Sequence, residues 1–221
     1  MCGLRRGTRL APRVLSAAPG RVRAALVPTQ AGPLAGDIDR VRVEVGAGAT
    51  LALRPIAATV ALPGEERTSI SFDVQVGPGG RLVWDEAPLI VAAGAGVDRI
   101  TSVALADGAV AVLRESVVLG RAGEGPGRLG SVLRVVQDGA PLLHDELRIS
   151  PRRAPWVALP PGHRAIGSVA LLGARADDGD DGMALHGAGT LWRSTGEGSA
   201  EVDRGLAGPW ERACARVGQP V

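Results

Sequence analysis

Val43-Glu44-Val45-Gly46-Ala47-Gly48-Ala49-Thr50-Leu51-Ala52-Leu53 is the stretch that decides the fold, because the chain writes it again. It returns as Val74-Gln75-Val76-Gly77-Pro78-Gly79-Gly80-Arg81-Leu82-Val83-Trp84 and as Val103-Ala104-Leu105-Ala106-Asp107-Gly108-Ala109-Val110-Ala111-Val112-Leu113. A weaker fourth copy is Val135-Val136-Gln137-Asp138-Gly139-Ala140-Pro141-Leu142-Leu143. The marker glycines Gly48, Gly79, Gly108 and Gly139 stand 31, 29 and 31 residues apart. Each copy reads as strand, tight turn, strand. Glycine supplies the positive φ such a turn needs, and Asp-Gly between apolar runs is a strong hairpin signal.

Working outward, the flanking strands alternate. Val41, Val43 and Val45 face one way while Arg40, Arg42 and Glu44 face the other; Ile70, Phe72, Val74 and Val76 alternate with Ser71, Asp73 and Gln75. Period 2 marks half-buried strands. Residues 56–60 and 87–93 read as further strands or bends. Only residues 202–217 depart from this pattern, with Leu206, Trp210, Cys214 and Val217 at helical spacing. The expected fold is mainly β, with repeated β-hairpins in a β-helix-like or layered arrangement and a short C-terminal helix over 202–217. Residues 1–20 are expected as an N-terminal tail and 21–221 as a single β domain. Within it, 175–200 is expected as an acidic, glycine-rich loop, exposed around Ala176-Asp177-Asp178-Gly179-Asp180-Asp181-Gly182.

Composition narrows the function. The 221 residues carry 25 basic and 23 acidic side chains, and every basic one is Arg; Lys, Asn and Tyr are absent. Those three types use A/T-rich codons, so a GC-rich genome accounts for their loss. Without Lys there is no Walker A loop, Schiff-base lysine or kinase-type lysine. Aromatic residues make up 2%, too few to stack nucleic-acid bases, so no nucleic-acid partner is expected. No run of about 18 uncharged apolar residues occurs, so no membrane partner is expected either. Arg9, Pro12 and Arg13 interrupt what would be the apolar stretch of a twin-arginine leader. The expected compartment is the cytoplasm, with free thiols.

Catalytic constellations are scarce. His144, His163 and His186 are the only histidines, and none adjoins a Gly-x-Ser-x-Gly elbow. Cys2 is close to the first residue, and Cys214 lies on the apolar face of the expected helix, where it reads as a small buried hydrophobe. His144 and Glu146 can share one face of a strand, a weak metal pair. Asp177, Asp178, Asp180 and Asp181 lack the Glu that closes an EF-hand loop. Arg114-Glu115 sits inside an otherwise apolar strand, where charges are expensive unless paired or facing water, so an edge strand with a polar outer face is expected.

Several segments together resemble one family. Pro33-Leu34-Ala35-Gly36-Asp37, followed by Val41-x-Val43-x-Val45-Gly46-x-Gly48-Ala49, resembles the opening of the urease accessory proteins UreD, also called UreH. Ala57-Ala58-Thr59 falls at that family's Thr/Ala-rich strand. Trp84-Asp85-Glu86-Ala87-Pro88-Leu89-Ile90 resembles its Pro-x-Pro segment. Glu115-Ser116-Val117-Val118-Leu119-Gly120-Arg121 with Gly123-Glu124 is similar to its most specific stretch. Leu142-Leu143-x-Asp145-x-Leu147-x-Ile149 resembles a later strand. The resemblance runs in order over roughly residues 20 to 150. The family's Lys and Tyr after the Thr/Ala strand are missing at Val60-Ala61-Leu62-Pro63, the first Pro of Pro-x-Pro is replaced, and the C-terminal part is shorter. The chain is similar to a short, divergent member of the kind a GC-rich actinobacterial genome would carry.

The resemblance implies a non-enzymatic scaffold or chaperone for urease metallocentre assembly in nitrogen metabolism. Such a protein binds the urease apoprotein and UreF, which recruits the GTPase UreG, and it helps deliver nickel to the urease active site. It implies a homodimer within the accessory complex as one arrangement. It implies no permanently bound cofactor but nickel in transit through an internal tunnel. The family motifs put Gly36, Asp37, Asp85, Glu86, Glu115, Arg121 and Glu124 forward as motif and tunnel residues. Glu115 and Glu124 are candidates for transient metal contact, since exchangeable oxygen ligands suit a passing cation, and His144, through a ring nitrogen, is a further weak candidate. The alternatives are a β-helix or sandwich enzyme acting on glycans, which needs paired carboxylates in an aromatic-lined groove, or a plain β binding module.

Overall fold

A computed structural model of the chain describes residues 9–151, 159–177 and 179–218. It opens with an antiparallel hairpin, β1 (Leu10–Ala18) and β2 (Arg21–Pro28), and then coils. β3 (Ile38–Val45) begins one wall; β4 (Thr50–Pro55) and the short β5 (Thr59–Ala61) lie in the other. β6 (Thr68–Val76) returns to the first wall, and β7 (Arg81–Asp85) and β8 (Leu89–Val91) to the second. A third circuit follows with β9 (Gly96–Leu105) and β10 (Val110–Leu119). β11 (Arg128–Gln137) and β12 (Ala140–Ile149) finish the first wall. β13 (Ala165–Leu172), β14 (Met183–Ala184) and β15 (Gly189–Gly196) extend the second, and α1 (Ser199–Arg216) packs outside it. The walls are a five-stranded sheet, β12-β11-β9-β6-β3, and a ten-stranded sheet, β1-β2-β4-β7-β10-β13-β15-β14, in which β5 pairs with β8 and β8 with β10.

Successive circuits stack in parallel. β3 pairs with β6, β6 with β9 and β9 with β11, so that Val45 stands beside Val76, and Val76 beside Leu105. The chain is therefore mainly β and solenoid-like, as its repeat implies. The turns at Gly48, Gly79 and Gly108 are not the hairpins expected of them. They are corners: the strands on either side of each lie in different sheets. The corners stack as well, with Gly48 N–H donating to Pro78 O at 2.9 Å and Gly79 N–H to Asp107 O at 2.9 Å. A two-residue type I′ hairpin needs positive φ at both central residues. Only Asp138 (φ 48°) and Gly139 (φ 77°) meet that demand, and only the fourth repeat is a hairpin, β11–β12.

Two apolar layers hold the fold together. The layer between the walls buries Val43, Val45, Ile70, Phe72, Val74 and Val76, the face that the alternation singles out. Phe72 and Trp84 meet edge to face there, 5.0 Å apart. The outer layer places Val202, Leu206, Trp210, Cys214 and Val217 against Val112, Val169, Leu171 and Trp192. Gly167 lets the helix approach closely, since a Cβ at that position would meet Val202 Cγ1 at 2.6 Å.

Three boundaries differ from expectation. Residues 10–18, assigned to a tail, form β1, because their backbone finds a partner in β2. The helix begins at Ser199 rather than 202. Residues 175–200 contain β14, β15 and the start of α1 rather than one exposed loop. Asp180 is drawn inward: its Oδ1 accepts from Trp192 Nε1 at 2.6 Å and its Oδ2 from Arg212 Nε at 2.7 Å. Burial raises its pKa, but these bonds and one from Gly182 N–H outweigh that, and the carboxyl sits below its usual range. Asp178 lies outside the described residues.

Candidate functional site

The site begins where a ladder breaks. β7 ends at Asp85 and β8 resumes at Leu89, while β10 runs unbroken beside both, pairing Val110–Arg114 with β7 and Val117–Leu119 with β8. Pro88 carries no N–H to continue the ladder. The preceding circuit breaks at the same level, between β4 and β5. A cavity of about 330 Å³ opens at these breaks, walled by apolar side chains such as Leu26, Ile70, Phe72 and Trp84.

At the inner boundary of that cavity three charges meet. Strand alternation turns Trp84 inward, Asp85 outward and Glu86 inward; on β10 it turns Arg114 outward and Glu115 inward. Arg99 comes from β9 on the opposite wall. It is 1% exposed, and its Nη2 lies 3.1 Å from Glu86 Oε2 and in ion-pair contact with Glu115 Oε2. Glu86 and Arg99 line the large cavity. Glu115 lines a second cavity of about 40 Å³, together with Ser131, Ser168 and the Asp145–Arg193 ion pair. The triad thus stands between two cavities, and the smaller is large enough for a water molecule.

One guanidinium cannot neutralise two carboxylates. Burial pushes the Glu86 carboxyl up to about 7; Arg99 draws it back and the Glu115 charge adds to the rise.

The remaining family-motif residues serve local structure. Asp85 forms a two-pronged ion pair with Arg114 at 2.7 and 2.8 Å, and the Arg114 guanidinium lies 4.9 Å from the Trp210 ring centre on α1. β10 is accordingly a central strand with paired charges on both faces, and the edge position expected for Arg114-Glu115 does not hold. Gly36 has φ 83°, and a Cβ there would meet Glu66 Oε2 at 2.5 Å. Asp37 accepts from Leu34 N–H at 2.7 Å and from Arg9 Nη1 at 2.8 Å, fastening the turn before β3. Glu124 accepts from Arg121 Nε at 2.7 Å and from the backbone N–H of Arg121 and Ala93. These bonds, the Arg121 side chain first, hold its carboxyl down to about 2. Glu124 is thus bound into a turn, while Glu115 is inside the coil. His144 is exposed on β12, its Nε2 3.8 Å from Glu146 Oε2, so the two do share a face.

Among the described residues no group of three or more His, Cys, Asp or Glu is placed to hold a metal ion, and no helix is long and apolar enough to cross a membrane. Cys214 is buried, and burial pushes its thiol up to about 12. Cys2 lies outside the described residues.

Sequence reasoning passed over Arg99. The signal was present: in β9 the inward series Val97, Arg99, Thr101, Val103, Leu105 carries a charge where its neighbours are apolar or small. The period also held information. Asp85 and Arg114 lie 29 residues apart, as do Glu86 and Glu115, while Arg67 and its partner Asp98 lie 31 apart. One coil of chain stacks each of these pairs on adjacent rungs.

Comparison with known proteins adds a family. The family model described as UreD urease accessory protein matches residues 8–219, which takes the likeness well beyond the region whose motifs resemble it. The chain is 43% identical over 173 residues to urease accessory protein UreD 1 of Streptomyces griseus, a match covering 76% of this chain and 67% of that protein. It is 41% identical over 169 residues to urease accessory protein UreD of Streptomyces coelicolor, covering 74% and 66%. It is 35% identical over 212 residues to urease accessory protein UreD 1 of Saccharopolyspora erythraea, covering 90% and 82%. The first two matches span about two thirds of the relatives' own length.

Proposed function

This chain belongs to the UreD urease accessory protein family, and on that premise we propose that it is a scaffold for urease maturation that passes nickel through its interior. It binds the urease apoprotein on one side and a UreF–UreG complex on the other, acts in the cytoplasm, and works by binding rather than by catalysis. Nickel is its cargo, not a resident cofactor. The observation that carries the reading is the pair of inward carboxylates, Glu86 and Glu115, held between two cavities. Carboxylate oxygens on adjacent rungs offer a passing dication weak, exchangeable contacts, whereas a His/Cys cage would trap it. The glycan-enzyme reading needs one free acid and one free base flanking a groove. Here both carboxylates face Arg99, which disfavours it.

The test is co-expression with urease subunits and UreF- and UreG-like proteins, followed by pull-down, nickel analysis of the purified urease and a urease assay. Glu115→Ala is expected to lower the nickel content of urease several-fold while the chain still co-purifies with its partners. Unchanged nickel content in that variant overturns the proposed path; loss of co-purification in the unaltered chain overturns the scaffold role.

A further inference from the structure

The hold on Arg99 is unusual for a buried arginine. A structural guanidinium grips one carboxylate with two parallel N–H groups, as Arg114 grips Asp85. Arg99 touches Glu86 and Glu115 through one nitrogen, Nη2. Its Nε and Nη1 are fully buried with no partner, Nη2 meets the two carboxylates as an ion pair without a regular hydrogen bond, and Thr101 Oγ1, two residues along the same face of β9, has no hydrogen-bond partner either. Buried polar atoms are almost always satisfied, so three unpartnered atoms at one place point to a group that visits it. The side chain also has room to move, because it borders the 330 Å³ cavity.

The charges point the same way. The guanidinium brings one positive charge to two carboxylates, whereas a divalent cation would neutralise both. A monovalent cation offers no electrostatic gain over the arginine already there.

Resting on the reading of the interior as a cation path, we propose that Arg99 is its gate: the guanidinium holds the place between Glu86 and Glu115 that a divalent cation takes in transit, and the two exchange as the side chain swings into the cavity. With Arg99 in place the path is closed to monovalent ions. A dication opens it by displacing the guanidinium, and Thr101 Oγ1 adds a neutral oxygen on the same face. The gate closes when the cation leaves and Nη2 regains the carboxylates.

The test uses the full chain and Ni²⁺ alone, by equilibrium dialysis at neutral pH. Arg99→Gln is expected to gain one Ni²⁺ site with Kd at least tenfold lower than the unaltered chain. Adding Glu115→Gln to it should abolish the gain, and Arg99→Lys, which keeps the charge, should not gain the site. Equal Ni²⁺ binding by Arg99→Gln and the unaltered chain overturns the gate, as does a gain of the site by Arg99→Lys. Should Arg99→Gln not fold, Glu86→Gln serves: it matches one carboxylate to one guanidinium and is expected to cut nickel loading of urease at least threefold with partner binding intact. Reduced loading in Glu115→Ala with normal loading in Glu86→Gln overturns the gate and leaves the path standing. Normal loading in both overturns the path itself.

Discussion

Replacing Glu86 by Gln should make this protein more stable at pH 8 and leave its stability almost unchanged at pH 4. The folded protein holds the Glu86 carboxyl at about 7 against an ordinary value of 4.5, because burial penalises the charge and Arg99 is shared with Glu115. Below about pH 4.5 the carboxyl is protonated in both the folded and the unfolded chain, and it contributes no difference. Between about 4.5 and 7 the folded state binds the extra proton, so stability falls as pH rises. Above about 7 the full penalty is in place. At about 1.4 kcal/mol per pH unit the penalty reaches about 3 kcal/mol. For a chain of this length that corresponds to roughly 9 °C in Tm. Glutamine keeps the shape and removes the charge. Urea or thermal denaturation at pH 4, 6 and 8 of both proteins reads the effect. The difference between them should grow across that series and level off above pH 7. Parallel pH profiles, or a variant less stable at pH 8, would refute the argument that one guanidinium cannot satisfy both carboxylates.

Other consequences concern the frame around the site. Trp210→Ala removes a buried ring under Arg114 and should cost about 3–5 kcal/mol in urea denaturation, the largest effect of any single truncation on α1. Gly173→Ala combines φ 81° with a Cβ that would lie 2.1 Å from Ala109 O, whereas Gly48→Ala meets open space at φ 64°. Gly48→Ala should therefore cost about 1–2 kcal/mol and Gly173→Ala clearly more, by the same measurement. Asp180→Ala orphans Trp192 Nε1 and leaves Arg212 with the exposed Asp181 as its carboxylate partner. It should cost about 1–3 kcal/mol and raise amide hydrogen exchange in the last turns of α1.

Part of the site was within reach of the sequence. Glu86 and Glu115 stand out because both interrupt apolar surroundings, and their separation of 29 residues equals one repeat, so a coil must stack them. Arg99 was harder to see because its role depends on facing the opposite wall, and pairings between walls follow no fixed offset along the chain. The acidic loop misled for a related reason. Its composition reads as solvated, yet one carboxylate among several found Trp192 and Arg212, partners that only packing brings near.

Periodicity is local, so the sequence alone determined the β class, the inward face of β3 and β6, the spacing of the corners and the buried stripe of α1. It could not say whether a glycine turn closes a hairpin or rounds a corner. Both need a residue with positive φ after an apolar strand, and both leave the same mark in the chain. The difference lies in which strand supplies the hydrogen bonds. That choice is made by the whole coil: parallel stacking of one circuit on the next pairs β3, β6, β9 and β11, and of the four repeat turns it is Asp138–Gly139, where the coil ends, that folds the chain back upon itself. The same stacking sets two carboxylates on adjacent rungs against one arginine, and so creates a charge imbalance that no single strand contains.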